Sequence, residues 1–249
     1  MSQVTLDRIA LAAVLVAIWQ ILHQIAGAFA LPSPYATLQM AGVLLGEEDF
    51  ARHALASLKA LAAATAIAVL GGTALGLWLG TARLAAAVAE PFLTAIYALP
   101  KVTLYPMILL IFGLGLQSKI AFGALHGIMP ITIFVMTGVR SISPVLLKTA
   151  RSMRLSPWQS AMRIVLPAAL PELLSGLRVG LSLTLLGTLI GEMFASREGI
   201  GFLLVQGITL LDGERILALT LLLFAFSVSM NLLLYSAEYR LRGRLRPQG

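Results

Sequence analysis

The chain has 249 residues, of which 59% are hydrophobic and only 12% charged, and its mean hydropathy is +0.92. A soluble domain carries about 25% charged residues, so there is too little polar surface here for a water-facing particle, and the composition specifies a polytopic membrane protein. The absence of cysteine excludes disulfide scaffolds, thiolate zinc sites and cysteine nucleophiles, whereas the net charge of +7 fits either nucleic acid or basic membrane loops until it is placed.

A bilayer-crossing helix needs about 20 predominantly apolar residues. The first such run covers residues 9–29. Arg8 ahead of it and Ala28-Phe29-Ala30 at its end resemble a cleavable leader, but its length and the interruptions at Trp19, Gln20 and His23 favour an uncleaved span. The second run covers residues 54–80. The third, residues 86–113, contains Pro91, Pro100 and Pro106. Because proline removes a helix hydrogen bond and clashes with the turn before it, this region reads as a short helix followed by a shorter spanning piece. Runs at residues 119–139, 170–195 and 216–235 complete six predicted spans.

An even number of spans puts both termini on one side. With the termini inside, the inner face carries Arg8, Arg83, Arg140, Lys148, Arg151, Arg154, Arg163, Arg240, Arg242, Arg244 and Arg246. The outer side carries Arg52, Lys59, Lys119, Arg197 and Arg215, together with the acids Glu47, Glu48, Asp49, Glu198, Asp212 and Glu214. This asymmetry obeys the positive-inside rule. It predicts cytoplasmic termini, and it accounts for the basic charge without nucleic acid. Glycines at four-residue spacing (Gly72, Gly76 and Gly80; Gly123 and Gly127; Gly176 and Gly180; Gly187 and Gly191) predict close helix packing within the bundle or at a subunit interface.

The long polar interruption, residues 141–171, reads SISPVLLKTARSMRLSPWQSAMRIVLPAALP. Ser156 suits a helix N-cap and Pro157 a first helical turn, so a helix-turn-helix hairpin is predicted on the inner face. From the residues alone, anionic lipid and a protein partner are both open. The spacing Lys148-Thr149-Ala150, Arg154, Ile164-Val165-Leu166-Pro167 resembles the EAA motif of ABC importer permeases. LPKVTLYPMILLIFGLGLQSKI and GEMFASREGIGFLL resemble the nitrate/sulfonate/taurine-type branch of that family. Lys148 replaces the motif's Glu, and Arg154 replaces its Gly, which normally makes the tight turn.

The resemblance implies an all-α, six-helix protein with the type I ABC importer permease fold. It implies a single transmembrane domain over residues 1–249, with a core at about 50–240 and a coupling loop at about 141–170. The implied partners are two copies of a separate ABC ATPase, a second permease copy forming a homodimer, an extracytoplasmic solute-binding protein and membrane lipid. ATP and magnesium are used by the ATPase, and no cofactor or metal is bound by this chain. The implied coupling residues are Ala150, Arg151, Met153, Arg154, Leu155, Ser156, Pro157, Trp158, Gln159 and Met162. Trp158 is read either as the docking anchor or as an interfacial tryptophan at the lipid headgroups.

Ionisable groups within a span are costly and become pathway candidates, which singles out Lys101 and Glu192, with Tyr105 beside the former. Lys101 either snorkels past Pro100 or lines a path for an anion, at about 18 Å along a straight helix from its outer end. Glu192 is expected at the membrane interface. Arg178 and Glu192, about four turns apart, are each expected to find another partner. Other classes fare worse. Gly71-Gly72-Thr73-Ala74-Leu75-Gly76 is followed by Leu77-Trp78, so it lacks the Lys and hydroxyl of a phosphate-binding loop. An intramembrane serine protease needs a base beside its nucleophile, yet the only histidines are His23, His53 and His126, and Ser182 has no nucleophile setting. His126 reads as a core or interhelical hydrogen-bonding residue. A secondary transporter is the second reading, but no internal repeat supports it.

Overall fold

The computed structural model describes residues 3–245; Arg246 lies outside the described residues, as do the side chains of Arg83, Arg151, Pro157, Arg242 and Arg244. The described residues are helical throughout, without strands. In chain order they are α1 (Gln3–Ala26), α2 (Pro34–Gly46), α3 (Glu48–Thr81), α4 (Arg83–Ala98), a 3-10 turn (Lys101–Leu104), α5 (Tyr105–Phe112), α6 (Leu116–Arg140), α7 (Pro144–Ser152) and α8 (Pro157–Ser160). A π turn (Ala161–Val165) follows, then α9 (Leu166–Ala195), α10 (Ile200–Leu210) and α11 (Gly213–Leu245). Five helices are long and apolar enough to cross a membrane. The pair Leu84–Ala98 and Lys101–Phe112, bent by 91°, makes a sixth span if counted as one.

Helices α3, α6 and α9 form the centre, with α6 packed on both sides. In lipid there is no hydrophobic force to hold helices together, so close backbone approach must do it. Gly72, Gly76 and Gly80 of α3 face Ile131, Val135 and Val139 of α6. A Cβ on Gly76 would stand 2.6 Å from the Val135 Cβ. On the other side of α6, Gly123 and Gly127 lie against Thr188 and Thr184 of α9, while Gly176, Gly180, Gly187 and Gly191 of α9 lie against Phe134, Ile131, His126 and Lys119. Every predicted glycine stripe is therefore spent inside one chain, and none is left for a subunit contact. Two of the threonines buried here pair their hydroxyls within α9: Thr184 donates to the Gly180 carbonyl at 2.8 Å and Thr188 to that of Thr184 at 2.9 Å. His126 is a core residue, but its Nδ1 meets the Phe122 carbonyl of its own helix at 2.9 Å, so the bond is not interhelical.

Several boundaries differ from the sequence reading. The third span breaks at Leu99–Pro100, whereas Pro91 is held inside α4 and Pro106 sits in the first turn of α5. The straight-helix distance for Lys101 therefore does not apply, because it occupies the 3-10 turn at the bend. The predicted hairpin is not a separate surface element either. Its second arm, α8, continues through the π turn into α9 as one helix, Trp158–Phe194, of 37 residues. Pro167 and Pro171 have no N–H to give an α-helical bond. The wider turn just ahead of them, where the Leu166 N–H bonds the Ala161 carbonyl, carries the helix through the region. Helices α2 and α10 lie on the far side of the bundle from α7 and fall in segments the sequence reading left as loops. Ser33 Oγ caps α2 by accepting from the Ala36 N–H at 3.1 Å, with Pro34 in the first turn.

Candidate functional site

At one end of the bundle α7 and α8 meet in an elbow. Leu155 N–H donates to the Ala150 carbonyl at 3.2 Å and Met153 N–H to that of Thr149 at 3.0 Å. This 6→1 closure is the Schellman ending of a helix, and it needs a left-handed residue at the position of Arg154. Arg154 has φ 49°, so the turn that glycine makes in the family is made here by arginine. The opposite arm opens with a reciprocal cap: Gln159 N–H donates to Ser156 Oγ at 3.2 Å and Ser156 N–H to Gln159 Oε1 at 3.0 Å. A capping box of this kind fixes where a helix starts, and Pro157 occupies its first turn.

The elbow presents apolar side chains outward. Met153 is 65% exposed and Trp158 69%, and Met162 lies one turn beyond Trp158 on the same face. Arg154, Ser156 and Gln159 are exposed, Leu155 is half-buried, and Ala150 is buried under the elbow. Lys148 is also exposed. Arg140, at the end of α6, pairs with Glu90 of α4 at 2.7 Å and ties the bent span to the centre.

At the opposite end the polar groups turn inward. Glu192 is fully buried within the protein. Its Oε2 accepts from Ser57 Oγ of α3 at 2.8 Å and from the Gly201 N–H of α10 at 3.0 Å. Ser57 Oγ accepts from the Ile200 N–H at 2.8 Å, and His53 Nδ1 from the Gly199 N–H at 3.0 Å. Because His53 Nδ1 is an acceptor, its proton sits on Nε2, which faces Asp49 at 3.6 Å. Gly199 has φ 120°, and a Cβ there would overlap the Glu192 carboxylate. Glutamate burial thus depends on a glycine beside it. The knot binds α3, α9 and the start of α10. Sequence reasoning missed His53 and Ser57; the legible signal was the glycine pair Gly199 and Gly201 beside a glutamate that needed buried donors.

The three pathway candidates are not brought together around one cavity. Lys101 is 7% exposed and its Nζ donates to the Tyr97 carbonyl at 2.9 Å, beneath the Tyr97 ring. Tyr105 is buried, packs edge-on to Phe122, and donates to the Gly191 carbonyl at 2.7 Å. Arg178 finds Glu238 of α11 at 3.5 Å rather than Glu192.

These features meet a match with known proteins. Residues 72–247 match the family described as binding-protein-dependent transport system inner membrane component, and the chain belongs to that family. It is a permease subunit of an ABC importer, with the all-α type I importer fold. A probable ABC transporter permease protein of Haemophilus influenzae is 30% identical over 225 residues, covering 89% of both chains. The taurine transport system permease protein TauC of Escherichia coli is 28% identical over 87% of this chain and 81% of its own. In fold, the chain resembles an inward-facing structure of the MetNI methionine ABC transporter, with a TM-score of 0.57 at 20% identity over 76% of this chain and 94% of that one. Membership of this family disfavours the secondary-transporter reading.

Proposed function

We propose that this permease moves a small anionic solute, of the sulfonate or taurine kind, inward across the bacterial inner membrane, and that its α7–α8 elbow docks on a separate ATPase. Relatives named for taurine and aliphatic sulfonates support the substrate class. The observation that carries the coupling role is mechanical. Trp158, exposed at the elbow, and Glu192, buried in the far knot, belong to one unbroken helix and lie about 50 Å apart at 1.5 Å per residue. A push on Ala150, Arg151, Met153, Arg154, Leu155, Ser156, Pro157, Trp158, Gln159 and Met162 is then delivered along a rigid rod to the outer end.

Two permease copies, forming a homodimer, work with two ATPase subunits that use ATP and magnesium. Both termini face the cytoplasm by the positive-inside count, and an extracytoplasmic solute-binding protein delivers solute to the end bearing α2 and α10. The bent span exposes Leu84 at 81%, Phe92 at 67% and Leu110 at 88%, a face suited to the second copy. The first helix has none of its window buried within the chain, which suits contact with a neighbour or with lipid. Lys101, at the bend of that span, is the pathway cation; Tyr105 and Glu192, each held by contacts of its own, fix the helices around the pathway without sharing a cavity with it. ATP binding closes the ATPases, draws the two elbows together and opens the pathway outward, and hydrolysis resets it.

The test is co-purification in detergent or nanodiscs with the ATPase encoded beside this chain. Wild type is expected to retain the ATPase, and a Leu155→Asp/Trp158→Asp variant is expected to lose it while eluting as a folded particle. Wild-type retention by the variant removes the elbow from the coupling role, and wild-type uptake by Lys101→Ala removes the pathway cation.

A further inference from the structure

A cavity of about 750 Å³ opens at the end of the bundle opposite the elbow, between α3, the start of α6 and the α9–α10 turn. Pockets for small ligands run from about 300 to 1,000 Å³, so it has the size of a binding site. Four cations line it: Arg52 and Lys59 of α3, seven residues apart on one helix face, Lys119 of α6 and Arg197 of the α9–α10 turn. Arg52 is held by Asp49 at 2.5 Å. Among the described residues Lys59, Lys119 and Arg197 form no ion pair. The carboxylates facing this group are Asp49, Glu198 at the rim and Glu192 behind Lys119, which leaves the cations in excess.

Lys119 is the unusual member. It is 4% exposed, yet the hydrogen bond its ammonium makes is to a backbone carbonyl, that of Glu198, at 2.8 Å. An ammonium has three donors, and a buried cation is costly unless it is paired. Beside Ser196 and Glu198, the rest of the lining is small or apolar, with Leu55, Leu114, Leu116 and Phe194 its large side chains.

We infer that this cavity is an acceptor site for an organic monoanion, with Lys119, Lys59 and Arg197 holding the charged head and Leu55, Leu114 and Phe194 covering a short apolar body. The inference rests on the anion-importer reading above and deepens it. An inorganic oxyanion leaves the apolar wall in contact with water, and a neutral solute leaves the buried ammonium unpaired. A protein partner would meet these charges on an open surface, whereas they line a concavity of ligand size.

The experiment uses the permease–ATPase complex in nanodiscs and equilibrium dialysis of three probes: butane-1-sulfonate, its neutral isostere butane-1-sulfonamide, and sulfate. Butane-1-sulfonate is expected to bind, sulfate roughly tenfold more weakly because it buries no apolar body, and the sulfonamide not measurably because it brings no charge to any of the three cations. Lys119→Met and the exposed pair Lys59→Met/Arg197→Met should each weaken butane-1-sulfonate about tenfold, and Lys119→Arg should restore most of it. The paired variant keeps the test informative where Lys119→Met fails to fold. Equal binding of the sulfonamide, unchanged binding in the paired variant, or no sulfonate binding by a complex that retains its ATPase overturns the inference while leaving the permease reading intact. Loss of solute-binding-protein stimulation in the paired variant, with sulfonate binding unaltered, overturns it in favour of a docking surface. Absence of the ATPase from the wild-type preparation instead strikes the permease reading.

Discussion

The two ends of the long helix Trp158–Phe194 obey opposite rules. At the elbow, apolar side chains such as Met153 and Trp158 face outward, uncovered by any of the described residues. At the far end a carboxylate is fully buried and receives hydrogen bonds from two other helices. Exposed apolar groups on a polar loop are a cost unless a partner covers them, whereas a buried acid is a cost unless its own chain supplies the donors. The elbow is therefore built for something outside the chain and the knot for the chain itself. Substitutions of the exposed apolar side chains at the first should change association and leave folding alone. At the second they should do the reverse.

The largest expected effect is on the knot. Glu192→Ala leaves the Ser57 hydroxyl and the Gly201 N–H without their acceptor, at about 1–3 kcal/mol for each unsatisfied buried group. Thermal denaturation in detergent, followed by size exclusion, should register a clear loss of stability. Glu192→Gln retains an acceptor oxygen and should recover part of it. An alanine variant as stable as wild type would show that the knot does not hold α10. Gly199→Ala attacks the same contact from the other side, since its Cβ meets the carboxylate at a backbone angle that disfavours any Cβ.

Next comes the anchor. Trp158→Ala should reduce ATPase affinity by roughly 2 kcal/mol, as truncation of an interface hot spot does, while the melting temperature of the permease alone stays put because the side chain is 69% exposed. A fall in stability without loss of affinity would move Trp158 to the lipid boundary. Ser156→Ala is expected to be smaller. It removes one half of the capping box with Gln159, worth about 1 kcal/mol, and its effect should appear as increased protease sensitivity of the elbow.

The contrast between the ends also explains what was legible beforehand. The start of the elbow's second arm was readable because Ser156 and Pro157 are local signals acting within one turn. The central packing was readable for the same reason, since glycine every fourth residue marks one helix face. The knot was not. His53, Ser57 and Glu192 are joined across more than a hundred residues of chain, and no local pattern announces which buried acid meets which hydroxyl. Glu192 was read by its depth at the outer end of its helix, and depth says nothing about what packs beside it. The continuity of α8 into α9 was hidden too, because residues 141–171 read as one polar interruption and no local pattern announces the π turn that carries the helix through it.

The smallest effect is the sharpest test of the elbow, because two terms oppose each other at Arg154. Its left-handed backbone, φ 49°, costs a residue with a Cβ about 1–2 kcal/mol relative to the right-handed form. Glycine removes that strain but loses more entropy on folding, by about 0.5–1 kcal/mol. Arg154→Gly should therefore stabilise the permease by only about 0.5–1 kcal/mol, seen as a small rise in melting temperature. Arg154→Ala keeps the strain and discards the charge, so it should gain nothing. Comparing the two in the ATPase pull-down separates the roles. Equal weakening in both assigns the guanidinium to the partner, as the exposed charges at Lys148 and Arg154 suggest. Wild-type association in both leaves Arg154 as a turn residue alone, and reversing the charge at both positions must then also leave the ATPase bound.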